Sequence, residues 1–325
     1  MLAGVETLEV DSAMTKPGGA VTAPSRAIRS ALAPFRHGLG DPTTCLSRPA
    51  SGGVFARATL TPDGPGTIRL GWRPCDDRAH EAALSIDVWG PGGNWLAARG
   101  AAMAGLDDDG APHLQHAPDR VVADAAVAGR QLRMGRSGDL YHELLPTVLE
   151  QRITAREAVR QWARLCRDLG APAPGPLELT LPPAPDVLRR QPTWWFHPLG
   201  IERRRASTLV EVARHASKFW AWSDADISEA ERKLRLIPGV GAWTTGSALG
   251  PALGDPDALC VGDYHAKNVV AWAMHGRPRG TDEEMLASLA PYRGQRGRVL
   301  RLLAAAGHRP PAFGPRQRIL PMHRW

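Results

Sequence analysis

Leu236-Ile237-Pro238-Gly239-Val240-Gly241-Ala242-Trp243-Thr244, followed by Val261-Gly262-Asp263-Tyr264-His265, is the stretch on which the reading of the chain turns. Upstream of it, Ser228-Glu229-Ala230-Glu231 has the capping-box form, so a helix is expected from about 229 to Leu236, where Pro238 stops it. Gly239-Val240-Gly241 then turns the chain tightly, and a second helix is expected to begin near Trp243. Glycines let backbone approach a phosphate, and the free amides of a new helix point at it, so this turn is an anion site that needs no base contacts. The same residues would also serve a plain helical hairpin. Asp263 has two compatible readings. Ala266, Val269, Val270, Ala273 and Met274 recur behind it at helical spacing, which makes it an N-cap, and an Asp at a helix start stays ionised and available as an anion.

Composition sets the frame around that stretch. With 325 residues and 43% hydrophobic content the chain is long enough for two domains with cores of their own. The net charge of +7 comes almost wholly from arginine, whose planar fork suits phosphate, so a polyanionic partner is the leading electrostatic inference. After Glu284 there is no Asp or Glu, yet eight arginines follow: Arg293, Arg296, Arg298, Arg301, Arg309, Arg316, Arg318 and Arg324. Arg293 to Arg301 share an amphipathic segment with Val299, Leu300, Leu302 and Leu303, which is expected to form a phosphate-facing helix. Cys45, Cys75, Cys166 and Cys260 are too scattered for zinc or an iron–sulfur cluster and are expected to be reduced and buried. No stretch reads as a signal peptide or a membrane span, so the expectation is a cytoplasmic protein with no membrane partner and no metal.

Taken in order, residues 1–25 mix small residues and proline without periodicity and are expected to be a disordered tail. Residues 26–135 read as a small α+β domain on an antiparallel sheet. Within it, residues 54–60 and 67–72 flank the turn signal Pro62-Asp63-Gly64-Pro65-Gly66, and residues 83–89 supply another strand. Gly90-Pro91-Gly92-Gly93 lacks the Gly-Lys-Ser/Thr that a phosphate loop needs and reads as a turn. Asp107-Asp108-Asp109-Gly110 lacks calcium-loop spacing and reads as a solvated loop, between helices at 94–106 and 119–128. From 136 to 325 helix signals take over. They comprise an apolar helix at 141–152 holding Pro146, a helix capped by Thr154 and ended by Gly170, a proline-rich connection, and a long helix at 203–222.

The segment 236–267 resembles the helix–hairpin–helix DNA glycosylase superfamily, and most of all its bacterial DNA-3-methyladenine glycosylase II (AlkA) branch. Upstream, Leu149-Glu150-Gln151-Arg152 is similar to that branch's Leu-Gly-Gln helix. Leu199-Gly200-Ile201 with Arg204 and Ala206 resembles a second element, and Ala290-Pro291-Tyr292-Arg293-Gly294 a Pro-Trp-Arg region. The resemblance covers roughly 135–305 and implies an α+β fold in which an N-terminal antiparallel-sheet domain precedes an all-helical, two-lobed glycosylase domain. It implies a monofunctional enzyme that acts as a monomer on double-stranded DNA, flips out alkylated purines of the 3-methyladenine and 7-methylguanine type, and hydrolyses the N-glycosidic bond. Asp263 matches the family's catalytic aspartate. Trp243 stands where lyases of the superfamily carry a lysine and, with Gln151, is expected at the base pocket, with Trp194, Trp195 or Trp272 as further aromatics. Gly239, Val240, Gly241, Thr244 and Arg152 are expected to contact DNA, Arg152 replacing an apolar wedge. No cofactor is implied beyond a monovalent cation at the hairpin. The competing expectation is a non-catalytic helix–hairpin–helix protein that binds DNA or senses damage.

Overall fold

The computed structural model describes residues 22–47, 52–75 and 78–311. The turn at Pro62-Asp63 closes a hairpin between β3 (Gly53–Thr61) and β4 (Gly64–Cys75), in register from Thr61 opposite Gly64 to Gly53 opposite Trp72. β1 (Thr22–Ala23), α1 (Ser25–Leu32) and β2 (Thr44–Ser47) precede it, and β5 (Arg78–Trp89) completes a five-stranded antiparallel sheet of order β1-β5-β4-β3-β2. β1 and α1 include residues 22–25, which composition alone assigns to a disordered tail; the rest of that tail lies outside the described residues, as do Arg316, Arg318 and Arg324. Phe55, Ile68 and Leu70 are fully buried, and they pack with Ile28 and Leu32 of α1. The helix expected at 94–106 is two short ones, α2 (Gly93–Ala97) and α3 (Gly100–Met103), which close the same core through Leu96 and Met103.

The remaining elements are α4 (Arg120–Ala128), α5 (Leu140–Glu150), α6 (Ala155–Leu169), α7 (Pro185–Leu188), α8 (Arg203–Ser223), α9 (Ile227–Leu234), α10 (Ala242–Leu253), α11 (Tyr264–His275), α12 (Asp282–Leu289) and α13 (Arg296–Ala305). They form two lobes. One core is built on α5, which is buried from Leu140 through Leu149 and holds Pro146 in its interior; α6, α8 and α10 pack around it. The other core joins α4 to α11, α12 and α13 through Val122, Val270, Leu289, Val299 and Leu303. Residues 111–126 therefore share apolar burial with 259–303 rather than with the sheet.

Two polar seams join these bodies. At the first, Asp41 accepts from Thr43 Oγ1 (2.7 Å) and from Trp162 Nε1 (2.9 Å), Thr43 Oγ1 lies 3.3 Å from His142 Nε2, Thr59 Oγ1 lies 2.8 Å from His142 Nδ1 and Thr59 Oγ1 lies 2.5 Å from Asp139 Oδ2. Burial pushes the Asp139 carboxyl up to about 6 and keeps His142 neutral. A hydroxyl has one proton, so a neutral Asp139 that donates to Thr59 frees Thr59 to donate to His142 Nδ1, and every group in the chain is then paired. Beside it, Arg57 and Glu143 form a fully buried ion pair at 2.6 Å. Removing one partner of such a pair costs about 3–5 kcal/mol, so it fixes how β3 sits on α5.

The second seam joins the aspartate run to α13. Arg298 is buried and its guanidinium grips both oxygens of Asp108, while Asp107 pairs with Arg136 and Asp109 accepts from Ala111 N. Asp107 and Asp109 are exposed, as a solvated loop would have them, but Asp108 between them is a joint between the loop after α3 and α13. Arg296 is held by Asp257, and Arg301 lies over Met134 Sδ and Ser30 O, where burial lowers its pKa to about 10. Arg298 and Arg301 therefore point into the protein and Arg296 is tied to Asp257, so these arginines of α13 do not form the expected phosphate-facing helix, while Arg293 before it is exposed. Their apolar neighbours had to face the core, and acids distant in sequence supplied partners that composition cannot reveal.

Candidate active site

α9 begins two residues earlier than the Ser228 box suggests, because Asp226 caps it by accepting from Ser228 N at 2.8 Å. After its end, Ile237 and Val240 are buried beside Leu234 and anchor the turn in the α5 core. Gly239 sits between them at φ +87°, and a Cβ there would stand 1.9 Å from Thr208 Oγ1 on α8. Only glycine permits both that backbone and that approach. Gly241 is exposed, its φ of −99° suits any residue, and an added Cβ would meet nothing within 4 Å. It precedes α10, which has no side-chain cap, so the first-turn amides of α10 open outward. The Val240 amide is spent on Ile237 O at 3.0 Å, and the Thr244 side chain is buried. Of the hairpin residues singled out from sequence, Gly239 and Gly241 are thus the two that face solvent, while Val240 and Thr244 shape the turn beneath them.

Gln151 holds that turn. Its amide Nε2 donates to Gly239 O at 3.0 Å and to Thr244 Oγ1 at 2.8 Å, so the end of α5 is fastened to the hairpin. Arg152 follows, exposed and at φ +60°, a left-handed conformation unusual for a side chain of its size. Such local strain at a loop tip is held by fixed neighbours, here Gln151 before it and the Thr154 cap of α6 after it.

Asp263 caps α11. Oδ1 accepts from His265 N at 2.7 Å and Ala266 N at 2.8 Å, and Oδ2 accepts from Trp243 Nε1 at 3.2 Å. These three donors fix the carboxylate's rotamer, with lone pairs left over because each oxygen can accept two bonds. Trp243 is half-buried, and its indole is tied edge-on to Asp263. Lys267, one turn along α11, is engaged by Asp282 at 3.0 Å, and the other oxygen of Asp282 accepts from Gly262 N. No amine is therefore poised beside Asp263 among the described residues. Trp195 packs on Phe196 and the α5 lobe, while Trp194 is largely exposed.

Two residues at this site had no role assigned from sequence. Tyr264 stands next to Asp263 with its ring 62% exposed, and the patterning of α11 could have marked it as facing outward. Glu150 is the last residue of α5 and lies in the electrostatic field of Asp263. Burial is the main reason its carboxyl titrates above the usual range, with His37 opposing and Asp263 reinforcing. A glutamate at the negative end of a helix dipole was a signal readable in the sequence once the helix end was known.

No protein-family model matches the chain. The structure resembles the 3-methyladenine DNA glycosylase of Archaeoglobus fulgidus at a TM-score of 0.66 and 16% identity, over 86% of this chain and 94% of that one. It resembles the Clostridium acetobutylicum 8-oxoguanine glycosylase/lyase, solved with double-stranded DNA, at a TM-score of 0.57 and 11% identity, over 81% and 97% of the two chains. In sequence, 130 residues are 28% identical to a thymine-DNA glycosylase of Aeropyrum pernix, an alignment that takes in 40% of this chain and spans about half of that relative (53%). At these identities the likeness is one of fold: a sheet domain followed by two helical lobes, as in the DNA glycosylases.

Proposed function

We propose that this chain, which folds as the DNA glycosylases do, is itself a monofunctional DNA glycosylase that hydrolyses the N-glycosidic bond of alkylated purines, of the 3-methyladenine and 7-methylguanine type, in double-stranded DNA. The observation that carries the reading is the pairing of Asp263 Oδ2 with Trp243 Nε1 at 3.2 Å, beside the open amides that follow Gly241. A carboxylate that two backbone amides and an indole hold in place suits stabilisation of a sugar cation or alignment of water against C1′. An indole at position 243 gives no amine for a covalent step, which supports water as the nucleophile.

In this mechanism the amides at Gly241 hold a phosphate, which sets the register of the DNA without reading its bases. The purine leaves the stack towards Asp263, and Arg152 takes up the emptied place or the neighbouring phosphate. An alkylated purine carries positive charge and departs as a neutral base when the C1′–N bond breaks, taking the bonding electron pair. The sugar cation is stabilised by Asp263, and water adds to C1′ while losing its proton to that carboxylate. Gln151 acts through the hairpin, by keeping Gly239 and Thr244 in place. No cofactor is required.

The test is to incubate the protein and its Asp263→Asn variant with methylated DNA and separate the free bases. The reading expects 3-methyladenine or 7-methylguanine from the wild type and not from the variant. Tight binding to alkylated or abasic DNA without base release would instead make the chain a damage sensor.

A further inference from the structure

We propose that the hollow between α1, the turn that follows α4 and the end of α13 is a binding site for a small phosphate monoester with a compact apolar body. The hollow shares no residue with the hairpin, α10 or Asp263, so it is distinct from the site described above and its test does not depend on the glycosylase reading.

The cavity measures about 310 Å³ and is bordered by Arg26 and Ser30 of α1, by residues 128–132, and by Ala305 and Ala306 at the end of α13. Its walls are fastened to one another. Ser30 Oγ donates to Ala27 O at 2.8 Å and accepts from Arg133 N at 3.0 Å, which ties the turn after α4 to α1. Gly129 lies so close to α13 that a Cβ there would stand 2.5 Å from Leu302 Cδ2, so the ends of α4 and α13 meet at the cavity. A water occupies about 30 Å³ and small-molecule sites begin at about 300 Å³, so this volume suits an organic ligand better than a lone water or a bare ion.

Every charged residue on its border is an arginine. Arg26 and Arg130 are exposed, and neither has an ion pair with a described residue. Behind Ser30 stands a third arginine, Arg301, whose Nη2 donates to Ser30 O at 3.4 Å and whose Nη1 faces Met134 Sδ, a weak acceptor. The acid whose charge reaches Arg301 is Asp108, and both of its oxygens are taken by Arg298. Asp124, the acid of α4, is turned to Arg120 at 3.5 Å. The C-terminal ends of α4 and α13 each bring about half a negative charge and the start of α1 about half a positive one, so the arginines prevail. A concave wall of one sign, with no counter-charge of its own, gathers anions.

These groups select the ligand. A guanidinium fork suits a carboxylate or a phosphate, but two arginines on the border and a third behind it match a group with about −1.5 to −2 charge at pH 7 and three acceptor oxygens, which is a phosphate monoester. Ala128, Leu132, Ala305 and Ala306 give the rest of the wall an apolar surface, against which a planar ring can lie. A duplex backbone fits less well, because its phosphates are singly charged diesters strung along an open strand and the hollow is walled by three segments. Binding makes and breaks no covalent bond, and the occupied site stabilises the fold by mass action.

The test is titration calorimetry of the full chain at low salt with three probes: deoxyadenosine monophosphate, inorganic phosphate and deoxyadenosine. The nucleotide is expected to bind once per chain and more tightly than inorganic phosphate, and the nucleoside not to bind. Arg26→Gln and Arg130→Gln, at exposed positions and so expected to melt as the wild type does, should each weaken the nucleotide at least about tenfold. Gly241→Ala should bind it as the wild type does. The proposal fails if no phosphate probe binds at millimolar concentration, if the arginine variants bind as the wild type does, or if deoxyadenosine binds as well as its phosphate. Equal affinity for inorganic phosphate and the nucleotide would leave the apolar wall without a role and overturn an ester ligand. Loss of binding in Gly241→Ala would put the nucleotide at the hairpin instead. Displacement of the nucleotide from Gly241→Ala by an unmodified duplex would assign the hollow to the DNA face and overturn a separate ligand.

Discussion

Gly239→Ala, measured beside Gly241→Ala, isolates what the hairpin's two glycines do. At Gly239 a left-handed φ of +87° costs an L-residue about 1–2 kcal/mol, of which reduced freedom of the unfolded chain returns roughly 0.4–1. The new methyl would stand 1.9 Å from Thr208 Oγ1 and 2.9 Å from its Cβ, so Thr208 must move and lose its bond to Arg204 O. That bond is worth about 1 kcal/mol, and the overpacking adds about 1–3. The sum is a destabilisation of about 2–6 kcal/mol, read as a fall in urea midpoint at constant m-value. At Gly241 the φ is ordinary and the added Cβ meets nothing, so stability should stay within about 1 kcal/mol of the wild type. That methyl nevertheless stands at the open amides, so DNA affinity should fall and the salt slope should shrink by about one phosphate contact. If Gly239→Ala is as stable as Gly241→Ala, the close approach of hairpin to α8 is wrong. If Gly241→Ala leaves affinity and salt slope unchanged, the amides do not hold phosphate.

Other perturbations separate the seams from the site. Gln151→Ala strips the buried Thr244 hydroxyl and Gly239 O of their partner and should cost about 1–3 kcal/mol, seen in denaturant unfolding. Arg298→Ala leaves Asp108 without its partner and should cost about 3–5 kcal/mol, whereas the exposed Arg309→Ala should cost almost nothing; unaltered stability with weakened DNA binding in Arg298→Ala would restore a phosphate-facing α13. Asp139 titrates at about 6 in the fold, above the unfolded carboxylate, so the native state binds the extra proton, and stability from this group is present at low pH and lost as pH rises through about 6. Asp139→Asn, whose amide can still donate to Thr59, should remove a slope of at most about 1.4 kcal/mol per pH unit between roughly pH 4 and 6. An identical pH profile in the variant would contradict a protonated Asp139.

The parts of this fold that were legible in sequence are those whose signals are local. The Pro62-Asp63 hairpin, the Thr154 and Asp263 caps and the Gly239 turn each declare themselves within a few residues, because turn chemistry and capping are settled by near neighbours. The short strands β1 and β2 left no such mark, since each of them exists only by pairing with a strand far along the chain. The arginines of α13 misled for the same reason: Asp108 lies 190 residues before Arg298, and no pattern near either residue reveals the bond. At the site, Asp263 and the hairpin could be named from spacing, but the indole bond of Trp243 depends on how α10 and α11 meet. The seam of Asp41, Thr43, His142, Thr59 and Asp139 was equally hidden, being drawn from three separated segments.

The central claim is that Asp263, held by Trp243 and the α11 amides, drives hydrolysis of a glycosidic bond. Its most direct test is a single-turnover assay on a duplex bearing one 7-methylguanine, in which abasic sites are converted to strand breaks by alkali after the reaction is stopped. The account expects alkali-dependent cleavage with the wild type and no spontaneous strand break, since no amine stands at position 243. It expects a loss of at least about 10²-fold in Asp263→Asn, which should keep the wild type's fold and DNA affinity. Cleavage by Asp263→Asn at the wild-type rate would contradict it.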